Sequence, residues 1–285
     1  MKIVYLDHHV VADQVAWPSI KALVDTGHIR VAISTWNIRE IVQARHERVE
    51  RAAFLESLRP LYIHDMLVLQ RLEIVSFLNE SLFGGRRLPF PMFTETFTEF
   101  LQMNYQIKVR REYQLTDYVR AEGDVTGDIV ELRKADHVEA MSAMLKDPAG
   151  VQRVDEQTNH AKMATLIPRR NSKGGFWEPS QIADILVHCH NHRSTLLRDC
   201  PAILAEDALS GPRLASPTRK PRTSDTADLF HSVSALAYTD ILVSNDAWAL
   251  NRILSAKQTM QRHGVGGCEV IRSIPTLEQA LPVAV

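Results

Sequence analysis

The chain has 285 residues, 33 Lys and Arg against 34 Asp and Glu, a formal charge of −1 and 45% hydrophobic residues. This is enough apolar material to pack one large domain or two small ones, and it excludes a chain disordered throughout. The even charge neither points to nor excludes a nucleic-acid partner, because a local basic patch fits inside a neutral total.

Three cysteines, Cys189, Cys200 and Cys268, show no paired spacing. They read as reduced thiols of a cytosolic protein. Met1 to Asp7 is too short an apolar run for a signal peptide. No stretch approaches the roughly 20 apolar residues of a membrane span. The expectation is a soluble, cytoplasmic protein with no membrane partner.

In chain order, Ile3-Val4-Tyr5-Leu6 reads as a strand buried on both faces and ended by Asp7. Residues 11–26 read as a helix with Val15, Ile20, Leu23 and Val24 on one side, stopped by Gly27. Ile29 to Ile33 alternates and is a second strand. Ser34, Thr35 and Asn37 offer caps, and a helical stripe runs from Ile38 to about Leu58. In this reading Asn37 to Glu40 is a capping box that puts Glu40 in the first turn. The β-α-β-α opening implies an α/β fold.

From Leu61 to about Asp207 the pattern is helical, with candidate helices near 62–82, 93–119, 127–147, 151–166 and 177–198. Residues 208–224 contain three prolines and a glycine and read as a basic loop. The α/β pattern then returns. A helix spans Asp225 to Tyr238, and Ile241-Leu242-Val243 is a strand. Ser244-Asn245-Asp246 caps a helix of about 247–256, Glu269 to Ser273 is a strand, and a short helix starts at Thr276. The expected organisation is an α/β core of residues 1–60 and 216–285 interrupted by a helical insertion, 61–215, ending in the basic Pro-rich loop.

Four carboxylates fall where the chain reverses: Asp7, Glu40, Asp228 and Asp246. In a parallel sheet all four lie at the carboxyl edge, where open α/β sheets build sites. Clustered carboxylates repel one another unless a cation neutralises them. Hard oxygen donors suit Mg²⁺ or Mn²⁺, ions that activate water and stabilise charge on a phosphodiester. Taken singly, each acid has a plain structural role: Asp7 a strand end, Glu40 a capping box, Asp228 a helix-dipole partner, Asp246 an N-cap.

Tyr5-Leu6-Asp7, Asn37-Ile38-Arg39-Glu40-Ile41-Val42, Asp228-Leu229-Phe230-His231 and Leu242-Val243-Ser244-Asn245-Asp246 together resemble the acidic motifs of PIN-domain nucleases. The resemblance covers about residues 1–58 and 223–275. It implies a three-layer α/β/α sandwich with a central parallel sheet, and an endoribonuclease that hydrolyses RNA with Mg²⁺ or Mn²⁺. Asp7, Glu40, Asp228 and Asp246 would then be the catalytic, metal-binding acids. Asp225 competes with Asp228 for the third position, and His231, Ser244 and Asn245 are candidates for supporting contacts. The long middle segment and His9, where the family often has a small polar residue, depart from the pattern. A PIN-like scaffold without activity, working through the insertion, is the alternative from another class.

RNA binding would need positive charge beside these acids. The nearest in sequence is the loop carrying Arg213, Arg219, Lys220 and Arg222. Other basic clusters are Arg86-Arg87, Lys108 with Arg110-Arg111, and Arg169-Arg170 with Lys173, the last near Phe176 and Trp177. The insertion offers a surface for a protein partner or a second copy. Two further patterns stand apart. Asp7-His8-His9 spells the tripeptide of the DHH phosphoesterases without that family's other motifs. His188-Cys189-His190-Asn191-His192 collects metal-capable side chains without the second pair a zinc site needs.

Overall fold

The computed structural model describes residues 1–105, 111–121, 163–167, 177–214 and 224–281. They form an α/β fold around a six-stranded sheet: β1 (Lys2–Leu6), β2 (Ile29–Ser34), β3 (Leu61–Ile63), β4 (Phe93–Thr94), β5 (Ile241–Val243) and β6 (Glu269–Ile271). The order is β4-β3-β2-β1-β5-β6, and only the β3–β4 pair is antiparallel. Among the described residues no helix is long and apolar enough to cross a membrane.

Alternation along the strands divides the core in two. Val4, Leu6, Val31, Ile33, Ile241 and Val243 face one hydrophobic cluster, whereas Tyr5, Ala32, Ile63 and Leu242 face the other. The first face is covered by α1 (His8–Ala12), α2 (Trp17–Asp25), α3 (Thr35–Gln43), α4 (Arg48–Ser57), α6 (Phe97–Tyr105) and α12 (Ile274–Ala280). The second is covered by α5 (Met66–Ser81), α7 (Pro179–Asn191), α8 (Arg193–Asp199), α9 (Pro201–Leu214), α10 (Ser224–Tyr238) and α11 (Ala247–Arg262). The arrangement is compatible with a three-layer α/β/α sandwich.

Strand order carries the chain from β1 outward through β2 and β3, then back to the opposite side of β1 as β5 and β6. The direction therefore reverses at β1, the kind of switch point outside whose carboxyl end open α/β sheets place their sites. Asp7 follows β1 and Asp246 follows β5 at that point.

Several sequence expectations change. The expected helix 11–26 is three pieces: α1, a 3-10 turn at Gln14–Ala16, and α2, whose start at Trp17 is fixed by Pro18 in its first turn. Gly27 ends α2 with φ of +72°, as expected of a glycine there. The sheet continues past residue 60, because β3 and β4 fall inside the segment read as a helical insertion. These strands are three and two residues long, too short to show alternation. Residues 208–214 are the end of α9, not loop, because Ala202 to Leu209 pack into the core and extend the helix through Pro212. Helix 247–256 runs to Arg262, and the last strand stops at Ile271, with α12 starting at Ile274. The expected helices at 127–147 and 151–166 lie outside the described residues apart from a turn at 163–166.

Candidate active site

Asp7 is the N-cap of α1. Its Oδ1 accepts from the His8 N–H at 2.7 Å, and its Oδ2 accepts from the buried Ser244 hydroxyl at 2.6 Å. The Asp7 N–H donates to Val243 O at 3.0 Å, extending the β1–β5 ladder by one bond. Ser244 is thus the hinge between two acids, because its Oγ also accepts from the Asp246 N–H at 3.3 Å. Asp246 caps α11 through Oδ1 on the Ala249 N–H at 3.0 Å. Asn245, between them, is exposed.

Glu40 sits differently from expectation. The cap of α3 is Ser34, whose hydroxyl accepts from the Trp36 N–H at 3.2 Å, while the Asn37 Oδ1 accepts from the Ser34 N–H at 2.8 Å. β2 runs on to Ser34, so the capping box starts three residues earlier and Glu40 falls in the second turn. The Asn37 Nδ2 also donates to Leu6 O at 2.9 Å, tying α3 to the end of β1 beside Asp7.

Glu40 instead meets His231 of α10, Oε2 to Nε2 at 2.6 Å, with the His8 ring nitrogen 3.8 Å from the same oxygen. His231 is buried, and its Nδ1 is hydrogen-bonded to the Tyr5 hydroxyl, which in turn bonds the Ser34 hydroxyl at 2.7 Å. A continuous chain Ser34–Tyr5–His231–Glu40 thus runs from the core to the acidic edge. Burial alone would lower the His231 pKa, but the Glu40 carboxylate outweighs it and raises the group above its ordinary value. Burial lowers the His8 pKa, and the pull of Glu40 offsets this only in part.

Asp228, in the second turn of α10, is pushed up to about 7. Burial is the main cause. His231 opposes it, while Asp7, Asp246 and Glu40 add to it by repulsion. Asp7, Glu40 and Asp246, which come from three other segments, therefore all lie within electrostatic reach of Asp228.

Sequence reasoning missed Tyr5. Tyr5 reads as one more apolar strand residue, and only the alternation that turns it toward α10 marks it out. His8 and His9 lie on α1, not on the strand; His8 reaches toward Glu40 and His9 is exposed. Arg219, Lys220 and Arg222 lie outside the described residues, as do the side chains of Arg213, Asp225 and Trp248. His188 and His192 share a helix face, ring centroids 4.4 Å apart, with His188 Nε2 hydrogen-bonded to Ser81.

Among the described residues no three His, Cys, Asp or Glu side chains stand ready as the ligands of one ion. The donor chemistry nonetheless fits Mg²⁺ or Mn²⁺. Mg²⁺ keeps several waters and is usually held by one or two carboxylates. Each hydrogen-bonded carboxylate oxygen retains a second lone pair. The repulsion that raises Asp228 is the kind a cation relieves. Comparison of the chain with family models, with curated proteins and with solved structures found no match to any of them.

Proposed function

We propose that the protein is a metal-dependent endoribonuclease with a PIN-like core, working at Asp7, Glu40, Asp228 and Asp246 with Mg²⁺ or Mn²⁺. The observation that supports this reading is the placement of Asp7, Glu40 and Asp246 within electrostatic reach of Asp228 where the strand order reverses, with Asp228 raised first by burial and further by these three acids. In this reading the middle segment is a largely helical elaboration of that core, and RNA is the substrate.

When bound, the ion supplies positive charge to the phosphodiester and lowers the pKa of water. The chain's own residues supply position. Ser244 and the His8 N–H fix both oxygens of Asp7, and Ser244 sets the turn that brings Asp246 beside it. His231, anchored by Tyr5, fixes Glu40 Oε2. Such supports orient an acid and tune its basicity. Asp228 holds its proton up to near neutral pH until a cation displaces it.

A non-catalytic scaffold is favoured by one observation: Asp7 and Asp246 both serve as helix N-caps, so each has a structural use without a metal. Calorimetric titration with Mn²⁺ at pH 7.5 separates the two. The nuclease reading predicts saturable binding that Asp7→Asn and Asp228→Asn each weaken at least tenfold. Absence of binding in the wild-type protein would leave the scaffold.

A further inference from the structure

The acids at the carboxyl edge repel a phosphodiester strand, so a nuclease needs a cation of its own nearby. α3 and α10 cover opposite faces of the sheet and meet over this edge in two rungs. One is the Glu40–His231 pair. The other is Trp36 stacked on Phe230, centroids 4.9 Å apart at 23°. Trp36 and Glu40 are four residues apart and share one side of α3, and Phe230 immediately precedes His231. The aromatic rung therefore lies one helical turn, about 5.4 Å, from the acidic one.

The Arg39 guanidinium lies over the Trp36 ring, its Cζ 4.6 Å from the centroid. Its charge also reaches the hydroxyl of Tyr105, an exposed residue of α6, whose pKa burial raises and the Arg39 cation lowers. Among the described residues no carboxylate is paired with it. A guanidinium stacked on an aromatic face is held flat, while its N–H donors project in the ring plane, the geometry that suits a phosphate. Arg39 is half-buried, and restraint by Trp36 lowers the entropy lost when it closes on a ligand. The same rung holds two buried polar atoms with no hydrogen-bond partner, Trp36 Nε1 and Thr35 Oγ1, both in the first turn of α3. Unpartnered buried donors are uncommon and mark this turn as incomplete without a ligand or ordered water.

We infer that Arg39, stacked on Trp36, binds a phosphate of single-stranded RNA next to the scissile bond. This rests on the nuclease reading of the adjacent acids. It assigns the role of nearest cation to α3 itself and does not require the basic segment after α9.

The test is fluorescence anisotropy with a labelled single-stranded RNA of mixed sequence, about 12 nucleotides, in EDTA and at low salt, so that the strand is bound but not cut. The full-length wild type is compared with Arg39→Gln and Arg39→Lys, thermal unfolding confirming that each is folded. Arg39→Gln should weaken binding about tenfold and reduce the slope of log K against log salt by about one. Arg39→Lys should keep the salt slope and lose less affinity, because charge survives and the fork does not. No binding by wild type, or equal binding by wild type and Arg39→Gln, would overturn the contact. Cleavage with Mn²⁺ reports separately on the acids: cleaving protein with Arg39-independent binding sinks only this inference, and Arg39-dependent binding without cleavage sinks only the nuclease.

Discussion

Among the described residues two carboxylates are pushed up to about 7, and their surroundings differ. Glu73, on α5, is buried at 1% exposure. Its Oε1 accepts from the Ala202 N–H at 2.7 Å and from the Tyr238 hydroxyl, and its Oε2 accepts from the Ile203 N–H at 3.2 Å. It caps α9 from across the core, and Arg87 contributes a lowering attraction. Every neighbour of Glu73 named here is a donor or a cation apart from the thiol of Cys200. Asp228 owes its shift to burial too, but three of its four charged neighbours are acids. A raised pKa therefore does not identify a site by itself; the company of the group does. Glu73 is a satisfied structural acid, whereas Asp228 is a buried acid with three acidic neighbours.

The largest effect should follow from emptying the satisfied site. Glu73→Ala strands two backbone N–H groups and the Tyr238 hydroxyl in the core, and should cost about 3 kcal/mol in urea unfolding. The fraction still folded should keep its Mn²⁺-dependent cleavage. Loss of cleavage without loss of stability would show that the two regions are coupled and the contrast is false.

Next comes the support of Glu40. His231→Ala leaves the acid in place but frees Oε2, and should lower kcat about 10- to 100-fold. Tyr5→Phe removes only the anchor of His231 and should cost less, on the order of tenfold at most. If Tyr5→Phe exceeds His231→Ala, the chain Ser34–Tyr5–His231–Glu40 does not act in that order.

The smallest effect has a sign that distinguishes the accounts. Asp228 has a folded pKa raised above its unfolded value, so the folded protein holds a proton that the unfolded chain releases. The stability linked to that proton is fully present below about pH 4 and is lost as pH rises to about 7. Metal-free protein should therefore become less stable across this window, Glu73 adding a loss of the same sign. Asp228→Asn should remove the Asp228 part and raise Tm at pH 8 by about 2 °C. A lower Tm at pH 8 would mean that Asp228, like Glu73, is held by donors.

Much of this was legible before the coordinates. β1, β2 and β5 are apolar runs long enough to identify, and Asp7 and Asp246 stand directly at their ends, so strand ends located the acids. β3 and β4 were not legible, because strands of two and three residues carry no period. The capping box read at Asn37 to Glu40 lies at Ser34 instead, so Glu40 falls in the second turn of α3, where it meets His231 of α10. The part played by Tyr5 is not legible, because it depends on α10 packing against it, a contact 226 residues away at His231. No local pattern records such partners.

The most direct measurement is cleavage of a mixed pool of single-stranded and structured RNA with Mn²⁺, wild type beside Asp7→Asn, with EDTA as control. The account predicts metal-dependent cuts by the wild type, leaving 5′-phosphate and 3′-hydroxyl ends, and none by a folded Asp7→Asn protein. Undiminished, metal-dependent cleavage by Asp7→Asn would contradict it, because the acid that joins β1 to the Ser244–Asp246 turn would then have no part in the chemistry.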